Sequence, residues 1–292
     1  MEDWFQVENF RQCIPSSSWP GYELRVEQST HRILDLLDSA TSALGTGSSE
    51  AHPSGRSSLR ATFFVLGWIG ERLPGLVREI QERGHEVASH GYNHVLCNQM
   101  LPHEVKTDLE VSKKLIEDIC GKPVCGYRAP SFSINAEVLE LVEACGYLYD
   151  SSFNSFSIHG RYGKLDLSAC GNRGVVARIS ESFSEIPISN LEVGARVIPW
   201  GGGGYFRLIP FSLFKRGVRS ILRKRGAYVF YLHPWEVDPD QPKVRNASRV
   251  YRFRHYLNLG RSLDRLRMLA TAFRDCRSVT CHEYLQEMTR DE

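Results

Sequence analysis

Long apolar runs are missing from this 292-residue chain. None approaches the ~18 residues that a membrane-spanning helix needs, so no integral membrane segment is expected. The first thirty residues also lack a basic region followed by an apolar stretch, so no export signal is visible. An excess of either charge is lacking: the formal net charge is +2, which argues neither for nor against nucleic acid, and no nucleic-acid partner is expected. Cysteine occurs eight times, but no Cys-x-x-Cys pair exists, and Cys120/Cys125 and Cys276/Cys281 do not match zinc-ribbon spacing. With no export signal, reduced thiols and a cytoplasmic location are the expectation. GGGGYF (201–206) lacks the Gly-Lys-Ser/Thr of a phosphate loop and reads as a tight loop close to a ligand or a plain turn.

What the chain does contain is alternation. Strand-like runs at 61–67, 85–90, 124–130, 147–152, 184–189 and 227–236 are interleaved with helical patterns at 73–84, 104–121 and 135–146. That order implies an α/β fold with a parallel sheet, open or closed into a barrel. A helical pattern at 27–40 precedes the first clear strand, so the opening MEDWF reads as the last residues of an otherwise missing strand. Residues 41–58 are rich in Ser and Gly and read as a flexible insertion. Helical patterns at 211–226 and 262–276 follow later. The first has a strongly basic face. Plain solvation is its simplest reading, and contact with a membrane surface or an acidic glycan is the alternative.

Functional groups of parallel α/β barrels collect at the C-terminal ends of strands. Those ends here carry His90, Arg128, Asp150 and His233, and the opening residues add Glu2 and Asp3. His90 and His94 lie four residues apart in HGYNH; two imidazoles and a carboxylate can share a divalent ion. Each residue also has a structural reading. The histidine pair could be surface or core residues, Arg128 a strand-end ion pair, His233 a backbone-bonded core imidazole, and Asp150 a helix cap.

Taken in order, MEDWFQVENF, ATFFVLGWIGER, GHEVASHGYNH, YRAPSFSI, YDSS, GGGGYFRLIP and YLHPWE resemble the polysaccharide deacetylase family, and within it the exosortase-associated subgroup of exopolysaccharide clusters. The resemblance spans nearly the whole chain. It implies an irregular (β/α)7-type barrel with its first strand largely truncated. The barrel would cover residues 1–240, and a helical segment, 241–292, would pack on it. It also implies a metal-dependent hydrolase that removes N-acetyl groups from hexosamines of an exopolysaccharide. One divalent ion, zinc, would be held by His90, His94 and Glu2, with Asp3 as the other acid candidate. Arg128 would orient the general base, His233 would be the general acid, and Asp150 would adjust it. Tyr92, Pro130, Phe132, Tyr205 and Trp235 would face the sugar, with a backbone N–H near Tyr92 or the metal stabilising the oxyanion.

The subgroup motif begins Asp-Val-Glu-Asp-Trp-Phe, and Met1 stands at its valine. The general-base Asp is therefore expected one residue before Met1, as a misplaced start codon would produce, and activity of this chain is expected to be impaired. A non-catalytic glycan-binding protein and a cyclic-amide hydrolase on the same scaffold are the alternatives.

Overall fold

Asp3 sets where the first helix begins. Its carboxylate accepts the backbone N–H of Arg25 (2.7 Å) and Val26 (2.9 Å), two donors that a helix start leaves unpaired. Helix α1, Val26–Leu44, follows. The structure, a computed structural model, describes residues 1–44, 59–156, 162–168 and 170–290. Residues 41–44, expected in the insertion, continue α1; the rest of that expected insertion, 45–58, lies outside the described residues.

The aromatic run TFFV forms β1, Thr62–Val65. The helix expected at 73–84 is α3, Pro74–Glu82, and a short helix that was not expected, α2, Gly67–Arg72, precedes it. Leu73 departs from helical geometry (φ −127°, ψ 54°), and Pro74, whose ring fixes φ and needs no N–H partner, restarts the helix. Next come β2, Glu86–Ser89, and α4, Pro102–Cys120, the latter stopped by Gly121 at φ 64°. β3, Gly126–Tyr127, precedes α5, Ala136–Ala144, whose start is capped by the Asn135 side chain accepting Val138 N–H. β4 is Tyr149–Asp150.

Two hairpins lie outside the expected elements. They are β5, Gly171–Arg173, with β6, Val176–Arg178, and β8, Asn190–Val193, with β9, Arg196–Pro199; β7, Ser184–Glu185, lies between them. The expected glycine loop is largely helical: α6 is Gly203–Leu208. Its Gly203 is required by packing, because a Cβ there would strike the Glu236 carboxylate. The remaining helices are α7, Phe211–Arg225, α8, Arg249–Tyr256, α9, Ser262–Ala272, and α10, Cys281–Thr289.

The main sheet runs β1-β2-β3-β4-β7-β6-β5. β1 to β4 and β7 are parallel, and β6 and β5 add antiparallel. Beyond β1, Leu66 N–H donates to Met1 O and the Met1 amine bonds Phe64 O, so the opening residues lie alongside β1 where a further strand would run. On the other side, Ser189 N–H donates to Val229 O and Tyr231 N–H to Gly201 O. The expected strand at 227–236 thus keeps only scattered pairing and one bridge, Gly202 with Tyr231, before ending in the turn Pro234–Val237. The result is an irregular (β/α) barrel. Trp4, Phe5, Phe10, Trp19 and Trp68 are all buried in its main core, which explains apolar bulk so close to the start of the chain. The C-terminal helices pack on the barrel: Cys281 N–H, at the start of α10, donates to Thr62 Oγ1 on β1 (2.8 Å).

Candidate metal centre

β2 delivers His90 directly after its last residue, and His90 N–H donates to Val65 O (2.9 Å). The His90 Nδ1 lies 2.6 Å from Arg128 O, so Nδ1 carries the proton and Nε2 keeps its lone pair for the site. The loop returns through His94, which takes φ 53° and is pinned by Arg11 Nη1–H donating to its carbonyl (3.1 Å). Glu2 enters from the opening segment. One donor atom from each of Glu2, His90 and His94 lies within 4.8 Å of the others, and all three residues are buried.

These residues fit a divalent cation. Glu2 Oε2 approaches His94 Nε2 at 2.8 Å yet makes no well-formed hydrogen bond, as two donors aimed at a shared third atom would. Burial opposes the Glu2 carboxylate, but the facing His94 and His233 outweigh it and hold its pKa well below the usual range. Burial pushes His90 well down, which keeps the imidazole neutral, the form that ligates. Asp3 is the acid that the structure turns away. Its carboxylate also accepts Trp4 N–H (2.7 Å) and serves the start of α1, and burial lifts its pKa to about 6.

His233 flanks this group, its Nε2 3.7 Å from Glu2 Oε1. Its Nδ1 bonds Glu236 Oε1 (2.9 Å), and Glu236 Oε2 accepts Arg207 Nε–H (2.8 Å). Burial pushes the Glu236 carboxyl up, yet the Arg207 charge and His233 hold it at about 2. Glu236 therefore takes the place expected for Asp150. The Asp150 carboxylate instead accepts Ser152 N–H and Oγ–H (3.0 and 2.7 Å) and meets Glu185, while burial raises its pKa. Glu236 was legible only as the fourth letter of HPWE, a glutamate placed to reach back to the backbone N–H of His233 (3.1 Å).

Arg128 donates to Ser151 O and Oγ (both 2.7 Å) and lies 4.0 Å from the Phe64 ring centroid. Among the described residues no carboxylate ion-pairs with it. The metal group, Arg128 and His233 open onto a cleft of about 990 Å³, with Phe132 and Tyr205 also on its wall. Ser131 and Phe132 both take positive φ (50° and 60°), a strained turn that fixes the Phe132 ring at this position.

Three expected sugar contacts lie differently. Trp235 offers no open face: its ring stacks on His255 at 4.1 Å and on His233 at 5.4 Å, and its indole N–H donates to Glu2 Oε1 (3.2 Å), so it positions the metal carboxylate. Pro130 is buried and does not line the cleft. The Tyr92 hydroxyl bonds Glu71 (3.0 Å), and its backbone N–H is already taken by the Asp108 carboxylate (3.1 Å), so it is not free for an oxyanion.

Residues 56–149 match the family profile described as polysaccharide deacetylase, and residues 151–286 match one described as a domain of unknown function, DUF3473. Among curated proteins the chain is similar to a peptidoglycan deacetylase-like protein of Gibberella zeae, 35% identical over 95 residues, covering 32% of this chain and 28% of that protein. It is also similar to a chitooligosaccharide deacetylase of Azorhizobium caulinodans, 30% identical over 90 residues, covering 30% of this chain and 43% of that one. The matched stretch spans less than half the length of either relative. A crystal structure of a candidate polysaccharide deacetylase from Mycobacterium smegmatis has the same fold, with a TM-score of 0.57 at 17% identity over 98% of this chain and 87% of that one.

Proposed function

The chain belongs to the polysaccharide deacetylase family, and from that premise we propose that it hydrolyses N-acetyl groups on hexosamines of a polysaccharide, as a zinc-dependent enzyme. The buried Glu2–His90–His94 group is the observation that carries the reading. Two imidazoles and one carboxylate suit zinc and leave further positions open. An exopolysaccharide substrate rests on the subgroup resemblance alone.

When bound, a divalent cation supplies Lewis-acid polarisation of the acetyl carbonyl and of the attacking water. The protein's own residues do the rest. Trp235 fixes one oxygen of Glu2 and leaves the other for the metal. His233, with Nδ1 held by Glu236, presents Nε2 at the cleft to protonate the departing amine. Phe132 and Tyr205 pack against the sugar. Glu2 is the one carboxylate of the metal group among the described residues. As a ligand it is not free to act as general base, and among the described residues Arg128 has no carboxylate to orient. That supports slow turnover, by a factor on the order of 10²–10⁴, the usual cost of a missing base. The same observation favours a second reading, a glycan binder that performs no chemistry.

Acetate release from N-acetylated oligosaccharides by the zinc-loaded protein tests the proposal. We expect slow release that added formate, an external base, accelerates, and that Glu2→Gln or His94→Ala abolishes together with zinc content. Saccharide binding without any acetate release, with or without formate, would replace the enzyme by the binder.

A further inference from the structure

The net charge of +2 conceals a strong local imbalance. Between Gln241 and Leu263 the chain has six basic residues, Lys243, Arg245, Arg249, Arg252, Arg254 and Arg261, and no acid. Several basic side chains elsewhere are matched: Arg83 pairs with Asp35, Asp38 and Glu79, and Lys113 and Lys114 pair with acids one helical turn on. The Arg254 guanidinium makes no ion pair or hydrogen bond among the described residues.

Helix α8 carries Arg254 at the cleft. Phe253 and Arg254 both line it, and Phe253 is 60% exposed, which is unusual for an aromatic ring with nothing packed over it. Arg254 also lies close enough to Tyr205, on the same cleft, for its charge to act on that hydroxyl. The position of α8 is tied to the catalytic group. Buried Arg207 donates to the carbonyls of Arg254 (3.2 Å), His255 (2.9 Å) and Leu257 (2.5 Å), and its Nε–H holds Glu236, which holds His233. A sugar engaged on α8 is therefore held in a fixed relation to His233.

We propose that Phe253 and Arg254 form a second recognition site at the cleft that selects an anionic glycan, a polymer in which a sugar near the reacting N-acetylhexosamine bears a carboxylate or phosphate. The sugar ring covers Phe253, and the anionic oxygens take the guanidinium of Arg254, which presents a planar fork to such groups. This rests on the deacetylase reading and names its substrate class.

Binding to the full-length protein, measured by calorimetry and separately from turnover, tests it. The probes are chitotetraose, a tetrasaccharide alternating N-acetylglucosamine with glucuronate, and a phosphate-linked N-acetylglucosamine oligomer. At least one anionic probe binds about tenfold tighter than chitotetraose at low salt, the scale of one charge-assisted pair, and the gap narrows as salt rises. Arg254→Gln removes most of that preference. Phe253→Ala weakens all the sugars alike. Arg219→Gln, an equal charge loss on α7 away from the cleft, changes nothing. Whichever anionic probe binds tighter identifies the group as carboxylate or phosphate.

Equal affinity for neutral and anionic sugars overturns the proposal, as does no binding of either anionic probe or an unchanged preference in Arg254→Gln. So does loss of binding to anionic phospholipid vesicles in Arg254→Gln with sugar binding intact, which would assign the arginine to a membrane surface. Absence of acetate release with the preference intact sinks the deacetylase reading and leaves this site standing.

Discussion

Glu236 is the residue on which most of the site's polar order converges, since it binds His233, Arg207 and, through Arg207, the end of α8. Glu236→Ala leaves Arg207, 1% exposed, as an uncompensated buried charge. The expected loss is about 3–5 kcal/mol of unfolding free energy. Urea titration reads it, and a loss below 1 kcal/mol would show that Arg207 is satisfied by carbonyls alone. Two buried groups also set the acid response. The Glu236 carboxyl, held at about 2, contributes stability that is complete above its ordinary value near 4.5 and lost as pH falls towards 2. His255 acts higher on the scale. Burial first, and the Arg207 charge second, push its pKa down to about 3, while the unfolded chain takes the proton near 6.5. Between those values the unfolded state binds more protons, so stability falls as pH drops from 6.5 to 3, by up to about 1.4 kcal/mol per unit. His255→Phe, which retains a ring against Trp235, flattens that slope in thermal melts between pH 7 and 4. An unchanged slope would place the acid sensitivity elsewhere, with His90 the next group to examine.

At the scale of elements, α7 shows how a sequence can announce a helix without announcing its seat. Its apolar stripe and the Gly226 stop, at φ 73°, are plain in the sequence. Its docking depends on Gly217, where a Cβ would strike the Trp200 indole, and on Trp200 Nε1–H donating to Phe214 O (2.9 Å). Gly217→Ala is expected to destabilise by about 1–3 kcal/mol through overpacking, despite the better helix propensity of alanine. Thermal unfolding checks this; a neutral or stabilised variant would mean that Trp200 moves freely. The hairpin of β8 and β9 had a readable signal in NLEVGARVIP, two short runs joined at Gly194, which takes φ 60°. The run at 227–232 is the opposite case. Its composition is that of a strand, but its neighbours across the barrel offer only Ser189 and Gly201 as partners, so no ladder forms.

For the molecule as a whole, the metal group joins the opening segment to the end of β2, two parts of the chain 88 residues apart (Glu2 and His90). Bound metal should therefore stabilise the entire barrel, by about 2.7 kcal/mol at a concentration 100 times Kd. A chelator should lower Tm and zinc restore it, with Glu2→Gln insensitive to both; a Tm indifferent to metal would argue against the site. The sequence by itself determined the alternation of strands and helices, the position of His90 and Arg128 directly after strands, and the four-residue spacing of the two histidines. These are local properties, written in periodicity and in which residue follows a strand. Tertiary structure alone decided between Glu2 and Asp3, gave His233 Glu236 instead of Asp150, and spent the Tyr92 N–H on Asp108. Adjacent side chains leave a segment in different directions, and a hydrogen bond belongs to whichever acceptor the fold brings nearest, so neither choice is encoded in spacing.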